Sequence, residues 1–138
     1  MPKSGKSRLV LLGIAAVAIL ALAVPAIGHG DDVSWNGTCN AGEFCVYRHS
    51  NFSVVAATSG TKDDHYLGDF FPNSGGITLN DQISSLKNER TANHVRWYID
   101  AHQGGASICM NAGGQDPSVP SNFNDEISSH NDFTGSCP

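Results

Sequence analysis

Beyond residue 28 the chain has only three leucines, Leu67, Leu79 and Leu86, against twelve glycines. So few strong helix formers among so many turn residues exclude long amphipathic helices. Basic residues are scarce too: Arg48, Lys62, Lys87, Arg90 and Arg96 face 13 acidic side chains, a formal charge of −8. A surface of that sign repels phosphate backbones, which argues against a nucleic-acid partner and makes a cation the more natural one. There is no His-Glu-x-x-His and no Gly-x-Ser-x-Gly, and the six histidines are scattered like surface residues. Nothing therefore predicts an enzyme. Asp63-Asp64-His65, the nearest thing to an acid/base cluster, reads as a solvated loop. A chain of 138 residues has room for one ordinary domain.

The apolar residues crowd at the start. Lys3, Lys6 and Arg8 precede a stretch, 9–28, that is almost wholly Leu, Val, Ile, Ala and Gly. A basic start, an apolar run and the small-x-small ending Ala26-Ile27-Gly28 predict a signal peptide over 1–28 and a secreted, extracellular protein. The alternative is an uncleaved anchor, which also leaves the remainder outside the cytoplasm. Four cysteines follow, Cys39, Cys45, Cys109 and Cys137, an even number that predicts two disulfides in an exported chain. Three connectivities are possible. Gly42 inside the short Cys39 to Cys45 loop favours a local bridge, leaving Cys109 for Cys137. A four-thiolate zinc site would need closer cysteine pairs than these.

Short runs rich in β-branched and aromatic residues recur at 44–48, 52–57, 66–71, 95–100 and 106–110, separated by turn residues such as Ser59-Gly60, Gly104-Gly105 and Gly113-Gly114. That rhythm predicts an all-β sandwich or barrel. The chain also repeats itself. Asn80-Asp81-Gln82-Ile83-Ser84-Ser85 returns 44 residues later as Asn124-Asp125-Glu126-Ile127-Ser128-Ser129. Upstream of each lies a hairpin-like segment led by a tyrosine, Tyr47 and Tyr98. A duplicated β unit of about 45 residues can bury one shared apolar interface.

The doubled Asn/Asp-Asn/Asp-x-x-Ser/Thr-Ser pattern, each copy after a tyrosine-led hairpin, is similar to the calcium-binding signature of the βγ-crystallin superfamily. The opening Cys39-x-x-Gly42-x-Phe44-Cys45-x-Tyr47 and His49-x-Asn51-Phe52 more particularly resemble secreted actinobacterial members grouped with the Streptomyces metalloproteinase inhibitor. The resemblance implies two Greek keys packed as a sandwich, the first about 39–90 and the second about 94–138, after a tail at 29–38. It also implies Ca2+ as the cofactor. The carbonyls of Gln82 and Glu126 and the hydroxyls of Ser84 and Ser128 would be direct ligands. Asn80, Asp81, Asn124 and Asp125 would supply the remaining side-chain oxygen, each to the site built mainly by the other unit. A carbonyl near Arg48 and another near Ile99 would complete the two sites.

Calcium prefers six to eight oxygens in flexible geometry, and each hexapeptide concentrates a carboxylate, a hydroxyl and a carbonyl. Asp, Asn and Ser also populate turns by bonding their own backbone, the plainer reading of the same letters. On either reading Ser85 and Ser129 pin the hairpin of their unit, and Ile83 and Ile127 are core. Two departures stand out: Ser53 takes the place of a hairpin glycine, and Gln103 takes that of a hairpin aromatic. Were that glycine position left-handed, Ser53 would be strained.

Three functions fit such a domain. The first is a peptidase inhibitor whose partner is an extracellular protease, docked through 58–65 or 111–121, the longest irregular stretches. The second is a calcium-stabilised structural or stress module with no protease target. The third is a small secreted toxin-like protein. Fold alone does not choose among them.

Overall fold

The structure, a computed structural model, describes residues 34–138. The expected signal segment lies outside the described residues. Eight strands follow one another: β1 Phe44–His49, β2 Ser53–Thr58, β3 Lys62–Asp63, β4 Ser85–Asn88, β5 His94–Asp100, β6 Gly104–Met110, β7 Gln115–Asp116 and β8 Ser129–Phe133. One 3-10 turn, Ala101–Gln103, is the only helical element among the described residues.

The strands form two antiparallel four-stranded sheets, ordered β2-β1-β4-β7 and β3-β8-β5-β6. Each half of the chain therefore keeps its first, second and fourth strands in one sheet and lends its short third strand to the other. Two such exchanges tie the halves into one body, a pair of interlocked Greek keys. Alternation along β1 and β5 sends Phe44, Val46, Val95 and Trp97 into the space between the sheets. There they meet Tyr66, Phe71, Leu79, Leu86 and the repeat residues Ile83 and Ile127, all at most 1% exposed. Burial of each large apolar side chain contributes about 1.5–3 kcal/mol. On the opposite face of β1, Cys45 and Tyr47 carry a smaller cluster with Phe52, Val55 and Cys39. Trp35 also packs on the core, and Asn36 pairs with Ala57, so residues expected in a tail belong to the packed unit.

The disulfides are Cys39–Cys45 and Cys109–Cys137, the favoured connectivity. Several expectations need correction. Residues 66–71 form no strand, because Gly68 at φ +103° turns the chain between Tyr66 and Asp69. The stretches 58–65 and 111–121 are irregular save for Thr58 at the end of β2 and the two-residue strands β3 and β7, and the latter stretch buries Val119. Ser53 is extended, and the left-handed residues of the first hairpin are Asn51, Phe52 and, in the glycine's place, Val54 at φ +59°. Its counterpart in the second half is Gly105, φ +72°, seven residues after Tyr98 as Val54 is after Tyr47. Strands β4 and β8, each central in its sheet, carry no strand signal in the sequence because Ser-Leu-Lys-Asn and Ser-His-Asn-Asp-Phe look polar.

Candidate functional site

The two hexapeptides meet where the halves of the domain touch. Asp81 and Asp125 each adopt the left-handed conformation, φ +55° and +57°. Asp and Asn are among the few non-glycine residues that do so at modest cost. Their backbones interlock reciprocally: the Asp81 N–H donates to the Ile127 carbonyl at 3.2 Å and the Asp125 N–H to the Ile83 carbonyl at 3.1 Å. Each turn is thus held by the strand approach of the opposite unit.

The side chains repeat the exchange. Ser128 Oγ donates to Asp81 Oδ1 at 3.0 Å, and Ser84 Oγ to Asp125 Oδ1 at 3.4 Å. Each serine therefore faces the carboxylate of the other hexapeptide. The Glu126 carbonyl lies 3.5 Å from Ser128 Oγ, so three oxygens of the first constellation converge. Asn80 and Asn124 do something different from their neighbours. Their amides donate to the outer carboxylate oxygens, Asp81 Oδ2 at 2.7 Å and Asp125 Oδ2 at 2.8 Å. Each asparagine orients a carboxylate whose other oxygen faces the serine. The Gln82 amide donates to the Asp81 carbonyl at 2.7 Å, which braces the turn from the side.

The second serine of each motif reaches back to its own hairpin. Ser85 Oγ donates to the His49 carbonyl and accepts the Phe52 N–H; Ser129 Oγ donates to the Asp100 carbonyl and accepts the Gln103 N–H. Ser84 and Ser128 N–H groups donate to the Tyr47 and Tyr98 carbonyls, so the hairpins and the hexapeptides form one framework. Phe52 packs edge-on against Tyr47, as a hairpin aromatic would. Gln103 instead spans to the Asp63 carbonyl at 3.1 Å, replacing ring packing by a hydrogen bond to β3.

The constellation of Asp81, Ser128 and Glu126 opens into a cavity of about 410 Å3, whose other walls include Ile99, Asp100, His65 and Leu67. Its oxygens are hard donors without a thiolate or imidazole among the convergent set, the chemistry that suits a hard divalent cation. Among the described residues no group of three or more His, Cys, Asp and Glu side chains gathers for a transition metal.

Asp63 and His130 depart from what the sequence implies. Asp63, on β3, is 4% exposed and not solvated. Burial first, then the charge of Asp69 and a hydrogen bond shared with it, push its carboxyl up to about 7, against the opposing hydrogen bonds from the His65 N–H and Trp35 indole. His130 is fully buried, with Nδ1 2.7 Å from the Tyr66 hydroxyl. Burial and the nearby Arg90 charge hold its imidazole well below the usual histidine range. An i-to-i+2 alternation in so short a strand is too weak a signal to have shown either.

Several known proteins share this architecture. The sequence model of peptidase inhibitor family I36 matches residues 35–110. That span takes in the first hexapeptide and both hairpins. Among solved structures, one from work on the evolution of the eye-lens βγ-crystallin domain fold is 25% identical, with a TM-score of 0.60 over 75% of this chain and 99% of that one. Spherulin 3a from Physarum polycephalum is 27% identical, with a TM-score of 0.53 over 77% and 98% of the two chains. A βγ-crystallin domain from Flavobacterium johnsoniae is 26% identical, with a TM-score of 0.51 over 69% and 98%. No curated protein matches the sequence.

Proposed function

Since the chain belongs to peptidase inhibitor family I36 and has the βγ-crystallin fold, we propose that it is a secreted inhibitor of an extracellular peptidase whose scaffold is stabilised by calcium. The family supplies the class of partner. The reciprocal pairs Ser128 with Asp81 and Ser84 with Asp125 are the observation that supports the calcium reading.

Asp81, Ser128 and the Glu126 carbonyl would hold one ion; Asp125, Ser84 and the Gln82 carbonyl would hold the other. Asn80 and Asn124 keep the two carboxylates turned toward the serines. A bound cation would neutralise carboxylates that a net negative domain otherwise concentrates at the junction of its halves. With one carboxylate at each site, charge count alone sets the expected affinity in the micromolar to sub-millimolar range. The donors of each site come from both halves, so unfolding either half destroys both sites. Binding then stabilises the whole domain, by about 2.7 kcal/mol per site when free calcium is 100 times Kd.

Inhibition needs a rigid surface that enters a peptidase cleft without being drawn through it. Two disulfides, two exchanged strands and a closed hydrogen-bonded framework supply the rigidity, which lowers the entropy lost on docking. The test is titration of secreted endopeptidases with the protein, in calcium and in chelator. Stoichiometric loss of peptidase activity is expected, weaker in chelator near the melting range. Full peptidase activity throughout would leave the structural-module alternative.

A further inference from the structure

The connections within the two halves of the domain match closely in length except in one place. Between β7 and β8 the connection runs 117–128, twelve residues; between β3 and β4 it runs 64–84, twenty-one residues. The shorter connection suffices to carry a hexapeptide from the exchanged strand back to its sheet. The surplus in the longer one is not required by the scaffold, and it is where the surface changes character.

Among the described residues the exposed large apolar side chains are Leu67, 69% exposed, Phe70, 49%, and Val54, 37%. A single exposed leucine is ordinary. Here two of the three lie three positions apart on the surplus connection, and Leu67 is exposed beside a residue, Tyr66, that is wholly buried. Leu67 occupies the second position of a tight turn, closed by the Asp69 N–H on the Tyr66 carbonyl at 3.1 Å, with Gly68 at φ +103° as a type II turn requires.

The turn is braced on every side. Tyr66 is anchored by its ring in the core, by its hydroxyl on His130 and by its N–H on the Ser128 carbonyl at 2.8 Å. Thr78 Oγ1 donates to the Tyr66 carbonyl at 3.3 Å, the Leu79 N–H to the Asp69 carbonyl at 2.9 Å, and the Phe71 N–H to the Ile77 carbonyl at 2.9 Å. Buried Phe71 and Leu79 fix the far end. An apolar side chain is thus displayed at the tip of a turn that cannot extend without pulling Tyr66 and Phe71 out of the core. Peptidases process extended segments, and exposed tips are cut only where the chain can open locally.

We propose that the 66–69 turn is the docking element of this protein, and that Leu67 enters the apolar primary pocket of a secreted endopeptidase. The assignment rests on the inhibitor reading and names its contact residue. It replaces 58–65 and 111–121 as the docking segment, since β3 and β7 tie the middle of each of those stretches into a sheet while neither displays a large exposed apolar side chain.

The test is inhibition of chymotrypsin, whose primary pocket is a hydrophobic slot, and of the zinc endopeptidase thermolysin, with acidic-pocket trypsin as the contrast. The protein should inhibit chymotrypsin or thermolysin and spare trypsin. Leu67→Asp should weaken that inhibition about 30-fold or more, as loss of a central apolar anchor does, and Leu67→Met should stay within about threefold. Leu67→Ser provides a milder loss should the aspartate disturb folding, and melting curves report folding in each case. Undiminished inhibition by both Leu67→Asp and Leu67→Ser would overturn the docking assignment and leave the inhibitor reading standing. Equal inhibition of trypsin would overturn the apolar pocket. No inhibition of chymotrypsin or thermolysin by the unmodified protein would overturn the docking assignment, and inhibition of another secreted endopeptidase would leave the inhibitor reading standing.

Discussion

Ser128 Oγ donates to Asp81 Oδ1 at 3.0 Å although the two residues stand 47 positions apart and belong to different halves of the domain. Ser84 and Asp125 make the same contact in the opposite sense at 3.4 Å. The exchange of side chains follows the exchange of strands: β3 and β7 carry each half into the other's sheet, and the hexapeptides arrive at the seam from both directions.

Val54 offers a first prediction. A β-branched residue at φ +59° pays for crowding that glycine avoids, about 1–2 kcal/mol, while glycine gives back about 0.4–1 kcal/mol through the unfolded chain. Val54 is 37% exposed, so the packing lost with its side chain offsets part of that gain. Val54→Gly should therefore stabilise the domain by up to about 1 kcal/mol, or several degrees in melting temperature. A melting temperature below that of the unmodified protein would show that the hairpin tolerates valine without strain.

The duplicated hexapeptide, the all-β class and the disulfide pairing were legible because each is a local pattern. Five matching letters in two stretches announce a repeat, and Gly42 marks the short cysteine loop. The sequence pattern puts the hairpin glycine at Ser53, one residue before its structural place at Val54, which the seven-residue spacing from Tyr47, shared by Tyr98 and Gly105, marks. Strands β4 and β8 hide behind polar letters because Ser85, Asn88, Ser129 and His130 Nδ1 each find a hydrogen-bond partner distant in sequence. The strand exchange and the burial of Asp63 are consequences of pairing between halves, which no local window contains.

Asp63 predicts a pH effect with a definite sign. Its folded-state pKa of about 7 lies above the ordinary carboxylate value of about 3.9. Between those values the folded protein keeps a proton that the unfolded chain releases, so Asp63 withdraws stability as pH rises from about 4 to about 7 and adds no further slope above that. His130 acts in the opposite sense: its lowered pKa makes falling pH costly below about 6.5, where the unfolded imidazole takes up a proton. The difference between the protein and Asp63→Asn isolates the first effect. The relative stability of the variant, followed by denaturant unfolding, should grow from pH 4 to pH 7 and then level off. A difference independent of pH would contradict the raised pKa.

Arg90 and Asp132 form a buried ion pair, each 8% exposed, with the guanidinium also donating to the Ser59 and Gly60 carbonyls and lying 4.8 Å over the Phe44 ring. Arg90→Ala leaves the buried Asp132 carboxylate without its counter-charge, with only the Asn93 amide still donating to it, which should cost about 3–5 kcal/mol. Replacing both partners, as Arg90→Met with Asp132→Leu, should cost less than Arg90→Ala alone. Chemical denaturation of the three variants measures both quantities, and a double variant less stable than Arg90→Ala would contradict the ranking.

Calorimetric titration of the chelator-treated protein with calcium, alongside Ser128→Ala and Ser84→Ala, tests the seam most directly. The account predicts two ions per unmodified chain, one per single variant, and a melting temperature raised by calcium in proportion to the sites retained. Unchanged binding in both variants, or no binding in the unmodified protein, would contradict it.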